Sequence, residues 1–324
     1  MELVREYLTI ESDENESISD SKPFIEANTV PASLQEIKES HIIPVFTKDN
    51  EQVISHANFI ETTVKVANEL FSNELILKPC IRLSHPIKGR VPSARDKPVN
   101  HLLEHEKTLY YERMAFVIEI PSICEFIDGN RLSLAIGGVK AYNLDNLSAR
   151  KGTDEHFKVF IGFQNKVCTN LCVWSDGYVG DLKVKNQHQL YTAIYNLFNS
   201  YQSVNHLSIM KDLANYFLTE QQFAKLIGKA RMYSHLPAEI KLQIPPLLFG
   251  DSQIGAVVKD YCKDDSFCRM NNGSINLWRL YNLLTGANKS TYIDNFLDRS
   301  VNAFQFVNQI KAGLDSGESN WFLN

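Results

Sequence analysis

Apolar and polar positions alternate most regularly between His156 and Trp174, HFKVFIGFQNKVCTNLCVW. A period of two is the signature of a strand, and the segment reads as two strands joined by a tight turn near Gln164-Asn165-Lys166. Phe157, Val159, Ile161 and Phe163 fall on one face and Phe160 on the other, so both faces of the resulting sheet should be covered. Asn170 is a polar amide inside an apolar run, flanked by Cys168 and Cys172.

The same reading extends along the chain. Ser33 to His41 has the pattern of a short helix, followed by a small strand at Ile42–Phe46. Ser55 is an N-cap for a helix over His56–Phe71, whose stripe contains Phe59, Ile60, Val64, Ala67 and Leu70. Leu75–Leu83 is a strand. His85–Pro98, HPIKGRVPSARDKP, holds three prolines and a glycine and reads as a loop rather than an inner strand. Leu109–Ile120 alternates and returns through Asp128-Gly129-Asn130 as a hairpin with Arg131–Tyr142. Gly137-Gly138 within that return strand predicts a bulge or a close backbone approach. After a polar loop at 143–155 and the hairpin at 156–174 comes a strand over Tyr178–Val184.

From Gln187 onward the period becomes helical. Thr219 and Gln222 form a capping box, Ser274 is a cap for Leu277–Leu284 with Gly286 as the stop, and Thr291 opens a last helix carrying Ile293, Phe296, Leu297 and Val301. The pattern predicts an α+β fold. A mainly antiparallel sheet packed with helices fills the first half, and the C-terminal half is α-helical. The expected organisation is a flexible acidic leader at 1–30, a β-rich α+β domain at 31–186 and a helical region at 187–324 able to pack on the same core.

Composition changes this picture little. With 44% hydrophobic and 22% charged residues over 324 positions, the chain is a globular protein. No apolar run reaches membrane-spanning length and the N-terminus lacks a signal-peptide pattern, which points to the cytoplasm and away from a membrane. Six irregularly spaced cysteines then read as mostly buried, reduced thiols. Charge adds more. Within a net charge of −5, residues 1–51 carry twelve acids and four bases, a balance of −8 that leaves about +3 on the rest. An acidic leader on a mildly basic body is compatible with nucleic-acid binding.

The basic loop carries the chemistry with most physical promise. Lys88, Arg90, Arg95 and Lys97 lie within ten residues, faced by the single acid Asp96, and suit phosphate contacts. Tyr110 and Tyr142, together with Tyr111, offer stacking surfaces for unpaired bases, and Lys140 and Lys158, with Arg150 and Lys151, would extend the patch. The bland alternative is a solubilising loop beside half-buried tyrosines. His101-Leu102-Leu103-Glu104-His105 matches H-x-x-E-H, which on a stable helix would place two zinc ligands one turn apart with a glutamate base. The segment is short and preceded by Pro98, so an exposed charged turn is the better account, and no metal site is assigned. Thr285–Thr291, TGANKST, has the ending of a phosphate-binding loop without its first glycine or preceding strand and reads as a helix–helix turn. No catalytic constellation and no cofactor motif is present, so a non-enzymatic protein without cofactor is expected.

The segments GGVKAYN (137–143), GTDEHFKVFIGFQNKVCTNLCVW (152–174) and NLWRLYNLLTGANKSTYIDNFLDRSVNAF (276–304) resemble an uncharacterised family of phage- and plasmid-like proteins carried on bacterial mobile elements. The resemblance runs from about Phe24 to the C-terminal Trp321-Phe322-Leu323-Asn324. A broader branch shares only the V-C-x-N-x motif at Val167–Leu171 and the W-x-x-x-N motif at Trp278–Asn282. The family brings no activity and no catalytic residues. The order of helix 56–71, ending Val66-Ala67-Asn68-Glu69-Leu70-Phe71, then basic loop, then long hairpin is similar to single-strand annealing recombinases, whose subunit rings hold DNA in a basic groove. That likeness implies single-stranded DNA as the partner and a homo-oligomer as the assembly. The function expected from the sequence is therefore single-stranded DNA handling in recombination, replication or transfer. The rivals are a protein-interaction or anti-defence factor and a zinc-dependent hydrolase built on His101, Glu104 and His105.

Overall fold

The computed structural model describes residues 23–40, 43–44, 54–142, 154–317 and 320–324. Its centre is an antiparallel sheet of eight strands. β1 (Val30–Ala32) and β2 (Ile43–Pro44) both pair with the outer edge of β3 (Cys80–Arg90). β3 pairs with β4 (Lys107–Ile127), β4 with β5 (Asn130–Ala141) and β5 with β6 (Glu155–Asn165). β7 (Leu171–Cys172) and β8 (Tyr178–Val184) share the far edge of β6. The fold is α+β, as its periodicity predicts, with the sheet in the first half and helices toward the C-terminus.

The hairpin at 156–174 forms with the expected faces. Phe157, Val159, Ile161 and Phe163 enter one hydrophobic cluster and Phe160 enters another on the opposite face. Helices on each side explain why both faces are buried. On the first face, α1 (Leu34–Ser40) is short; α2 (His56–Leu70), capped by the Ser55 side chain on the Asn58 N–H, lays Phe59 edge-on against Phe116 and Phe157 at 5.1 and 4.8 Å. Gly138 makes that approach possible, because a Cβ there would lie 2.5 Å from both the Phe59 ring and the Lys158 carbonyl oxygen. The glycine pair thus serves close packing. The bulge of this hairpin is elsewhere, where the pairing steps from Ile120–Leu134 to Cys124–Ser133 and leaves residues 121–123 extra on β4.

The opposite face is built of small side chains. Ala115, Ala135, Val139 and Ala141 receive Ile293, Phe296, Leu297 and Val301 from the start of the last helix, α9 (Ile293–Ser316). Phe24 and Ile25 are buried in the same layer, so 23–25 departs from the expected leader; the rest of that leader up to residue 22 lies outside the described residues. The intervening helices are α3 (Gln187–Ser200), α4 (Ser203–Asp212), α5 (Glu220–Tyr233), α6 (Ala238–Lys241), α7 (Asp251–Lys263) and α8 (Leu277–Asn288). The strands β9 (Phe217–Leu218) and β10 (Ile275–Asn276) form a separate pair. One hydrophobic cluster runs from the α2 face of the sheet through Trp278, Tyr281 and Phe304 to Phe322. Thr219 and Gln222 form the expected capping box on α5.

Three expectations are corrected. β3 extends through Pro86 to Arg90, so the first half of the basic segment is strand. Proline is tolerated there because β1 pairs only as far as Leu83 and β2 begins at Gly89; among the described residues nothing pairs with the outer edge between them. α8 is capped by Asn276, not Ser274, and Gly286 lies inside that helix with Lys289 as its C-cap. The cysteines are all free, but only Cys124 and Cys172 are buried; Cys80 and Cys262 are exposed.

Candidate functional site

The outer end of the β3–β4 arm is a sixteen-residue connection, 91–106, folded into three short 3-10 turns at Pro92–Ala94, Val99–His101 and Glu104–Glu106. Arg90 organises it from within. Its side chain is 2% exposed, and Nη1 donates to the carbonyl oxygens of Ala94, Arg95 and Lys97 at 3.3, 2.8 and 2.7 Å. A planar guanidinium with five donors can satisfy several carbonyls of an irregular turn at once. Ala94 and Leu102 form a small apolar cluster of the connection with Val91. Lys97 pairs with Glu106, whose other oxygen accepts the Leu103 N–H at 2.9 Å. Those two contacts hold the Glu106 carboxyl below its ordinary range. Glu104 pairs with Lys107 in the same way.

The structure separates the residues that the sequence groups into one patch. Lys88 is exposed on β3 opposite Leu109, and Arg95 is half-buried on the connection; neither has a carboxylate partner among the described residues. Lys97 is at the surface but paired. Arg90, Lys140, Lys158, Tyr110 and Tyr142 are inside the protein. Lys140, 0% exposed, places Nζ 2.5 Å from Glu155 Oε2 and over the Phe157 ring. Lys158 contacts Asp298 Oδ2 and the Asp294 carbonyl oxygen, each at 2.5 Å, and ties β6 to the first turns of α9. Arg113 on β4 makes the parallel contact with Asp294 Oδ1 at 2.7 Å. Tyr110 stacks on His56 at 4.6 Å beneath α2 and meets Tyr142 edge-on, so neither ring offers a stacking surface. An unpaired buried ammonium is too costly to keep, and each lysine has found its carboxylate through the fold rather than through its sequence neighbours. Arg150 and Lys151 lie outside the described residues.

His101 and His105 sit in different 3-10 turns, with Leu102 buried between them and both histidines exposed. The H-x-x-E-H spacing therefore does not form one helical face, and Glu104 is engaged by Lys107. Among the described residues no group of three His, Cys, Asp or Glu side chains is arranged to hold a metal ion.

The two short motifs of the broader resemblance do meet. Asn170, 2% exposed, donates from Nδ2 to the Asn282 carbonyl oxygen at 2.9 Å. Asn165 donates to Asn282 Oδ1 at 3.0 Å, and Asn282 Nδ2 donates to the Trp278 carbonyl oxygen at 2.9 Å. Trp278 in turn donates its indole N–H to Asn130 at 3.1 Å. Lys289, 6% exposed, donates to the Cys168 carbonyl oxygen and to Thr169 Oγ1. Thr169 has a left-handed φ of 57°, which this anchoring helps to hold. Asn170 is thus a buried amide that locks the β6–β7 turn to α8. The asparagines at 165, 170 and 282 within apolar surroundings were the available signal for this network.

The chain belongs to the family described as "Domain of unknown function, B. Theta Gene description (DUF3871)", whose model matches residues 9–323. It is thus a member of a family without an assigned activity. Comparison with curated proteins and with solved structures finds no match. No helix among the described residues is long and apolar enough to cross a membrane.

Proposed function

We propose that this protein binds single-stranded DNA through the outer end of the β3–β4 arm, as a cytoplasmic, non-catalytic component of a bacterial mobile element acting in recombination, replication or transfer. The observation that supports this reading is the bracing of the arm by Arg90. Because its guanidinium holds three carbonyls of the connection, Arg95 is presented on an ordered turn, with Lys88 exposed on the adjoining strand and neither neutralised by a carboxylate among the described residues. A connection whose backbone is already ordered loses little further backbone entropy on meeting phosphates. Lys97 and Lys107 add charge at the same end, each shared with a glutamate. The likeness to phage- and plasmid-like proteins and to annealing recombinases supports the same partner and a homo-oligomeric assembly around it. Anisotropy of a labelled single-stranded oligonucleotide tests the reading: binding should weaken when Lys88 and Arg95 are both changed to alanine, and unchanged affinity would remove the arm from it.

One observation favours a second reading, an interaction or anti-defence factor. Val99, Leu103 and Leu109 on the same arm are exposed by 53%, 53% and 54%, an apolar surface suited to a protein partner. No DNA binding at low salt, together with loss of a protein partner on Leu103→Asp, would favour it.

A further inference from the structure

A cleft of about 630 Å³ opens where the start of α7, the turn between α8 and α9, and residues 26–28 converge. Residues 26–28 are held there because the N–H groups of Glu26 and Ala27 both donate to the Lys289 carbonyl oxygen, at 2.8 and 3.2 Å. Arg299 lines the cleft, half-buried. Its Nη1 donates to Thr291 Oγ1 at 2.7 Å, and no carboxylate pairs with it among the described residues. Burial alone pulls its pKa below the usual arginine range, with no neighbouring acid to offset it, while the group stays charged. A half-buried guanidinium that has no carboxylate partner among the described residues can still take an anion.

A second, separate observation concerns Gln253. It is 9% exposed and lines the same cleft. Its Oε1 accepts the Gly250 N–H at 3.1 Å, whereas its Nε2 donors have no acceptor among the described residues. Ser252 and Asn295 add polar groups to the lining. The acids that would neutralise the cleft are turned elsewhere: Asp251 to Arg231 at 3.4 Å and Asp294 to Arg113 at 2.7 Å. Glu26, the one carboxylate of the lining, is exposed and acts on Arg82. Neither α7, preceded by Gly250, nor α9, preceded by Tyr292, has a side-chain cap on its first-turn N–H groups, and each carries one acid, Asp251 or Asp294, in that turn.

We propose that this cleft binds a phosphate monoester, with the Arg299 guanidinium and the Gln253 amide as donors to its oxygens and Tyr292, 53% exposed, at the mouth. A dianion would pair with the Arg299 guanidinium and accept from the open Gln253 amide together, and arginine suits a phosphate's paired oxygens. The inference does not rest on the β3–β4 arm: variants lacking Lys88 and Arg95 should keep phosphate binding, so each proposal can fail alone.

Calorimetric titration of the full chain with inorganic phosphate, against chloride at matched ionic strength, tests it. Saturable binding is expected, weakened about tenfold or more by Arg299→Gln, as for loss of a charge-assisted contact. Asn295→Asp, at an exposed position where folding is not at stake, should weaken it as well by placing a negative charge at the cleft. A nucleoside monophosphate that binds more tightly than phosphate, with the gain lost in Tyr292→Ala, would identify a nucleotide as the source of the monoester; equal affinities would identify recognition of the phosphate group alone. No saturable binding at millimolar phosphate, or binding that survives both Arg299→Gln and Asn295→Asp, would overturn the proposal.

Discussion

The side-chain amide of Asn165 donates to Oδ1 of Asn282 at 3.0 Å, joining two residues 117 positions apart that are 0% and 1% exposed. This bond and that of Asn170 to the Asn282 carbonyl oxygen fasten the end of β6 to α8, and so the sheet to the C-terminal helices.

Replacing Asn282 by alanine should therefore leave the Asn165 donor buried without its acceptor. Urea denaturation should show a loss of about 1–3 kcal/mol, the usual cost of an orphaned buried polar group. In a double-mutant cycle with Asn165→Ala the losses should be less than additive, coupled by about 1 kcal/mol. Strict additivity would mean that the bond contributes nothing.

The buried pair of Lys140 and Glu155 predicts an asymmetry. Lys140→Ala removes the ammonium that lies 2.5 Å from the Glu155 carboxylate, which also accepts the Ile54 N–H at 2.8 Å. Stability should fall by roughly 3–5 kcal/mol. Lys140→Met combined with Glu155→Gln should recover much of that loss, because both charges of the pair are removed together; a double variant no better than Lys140→Ala would contradict the argument.

Two glycines should respond in opposite directions. Gly138→Ala would press a methyl onto Phe59 and the Lys158 carbonyl and should cost about 1–3 kcal/mol by overpacking. Gly228 lies on the exposed side of α5, and a methyl added there would meet nothing within 4 Å. Gly228→Ala should stabilise by about 0.5–1 kcal/mol through helix propensity. Thermal melts of the two variants read both signs.

Acid should weaken the fold before the carboxylates titrate. His206 is 0% exposed, its Nδ1 lies 2.6 Å from the Tyr201 hydroxyl, and burial pushes its pKa from 6.5 down to about 3. Between those values the unfolded chain binds a proton that the native chain excludes. The stability contributed by the neutral ring is thus complete above pH 6.5 and declines below it, by about 1.4 kcal/mol per pH unit at most. Urea midpoints measured from about pH 7 to about pH 5.5 should fall in the native protein and stay flatter in His206→Gln; parallel profiles would assign the acid sensitivity to other groups.

Much of this architecture was legible in local patterns. Alternation placed Phe157 to Phe163 on the correct faces, Ser55 and Thr219 announced their helices, and Asp128-Gly129, both at positive φ, marked the hairpin turn. What escaped were relationships set by tertiary contact. Lys158 reads as a surface cation until Asp298, 140 positions later, is placed against it. Pro86 argues against a strand until β1 and β2 are seen to leave its outer edge open. Arg90 belongs by sequence to a basic cluster, yet its charge is spent on the backbone that follows it. The Arg299 cleft collects residues from three separated segments, and no local spacing records it.

The most direct measurement is the salt dependence of single-stranded DNA affinity for the native protein and for the Lys88→Ala, Arg95→Ala variant. Each phosphate contact released should change the slope of log K against log salt by about 0.7 for single strands. The arm predicts a measurable negative slope in the native protein that becomes shallower by about 1.4 when both cations are removed. Equal slopes and equal affinities in the two proteins would contradict it.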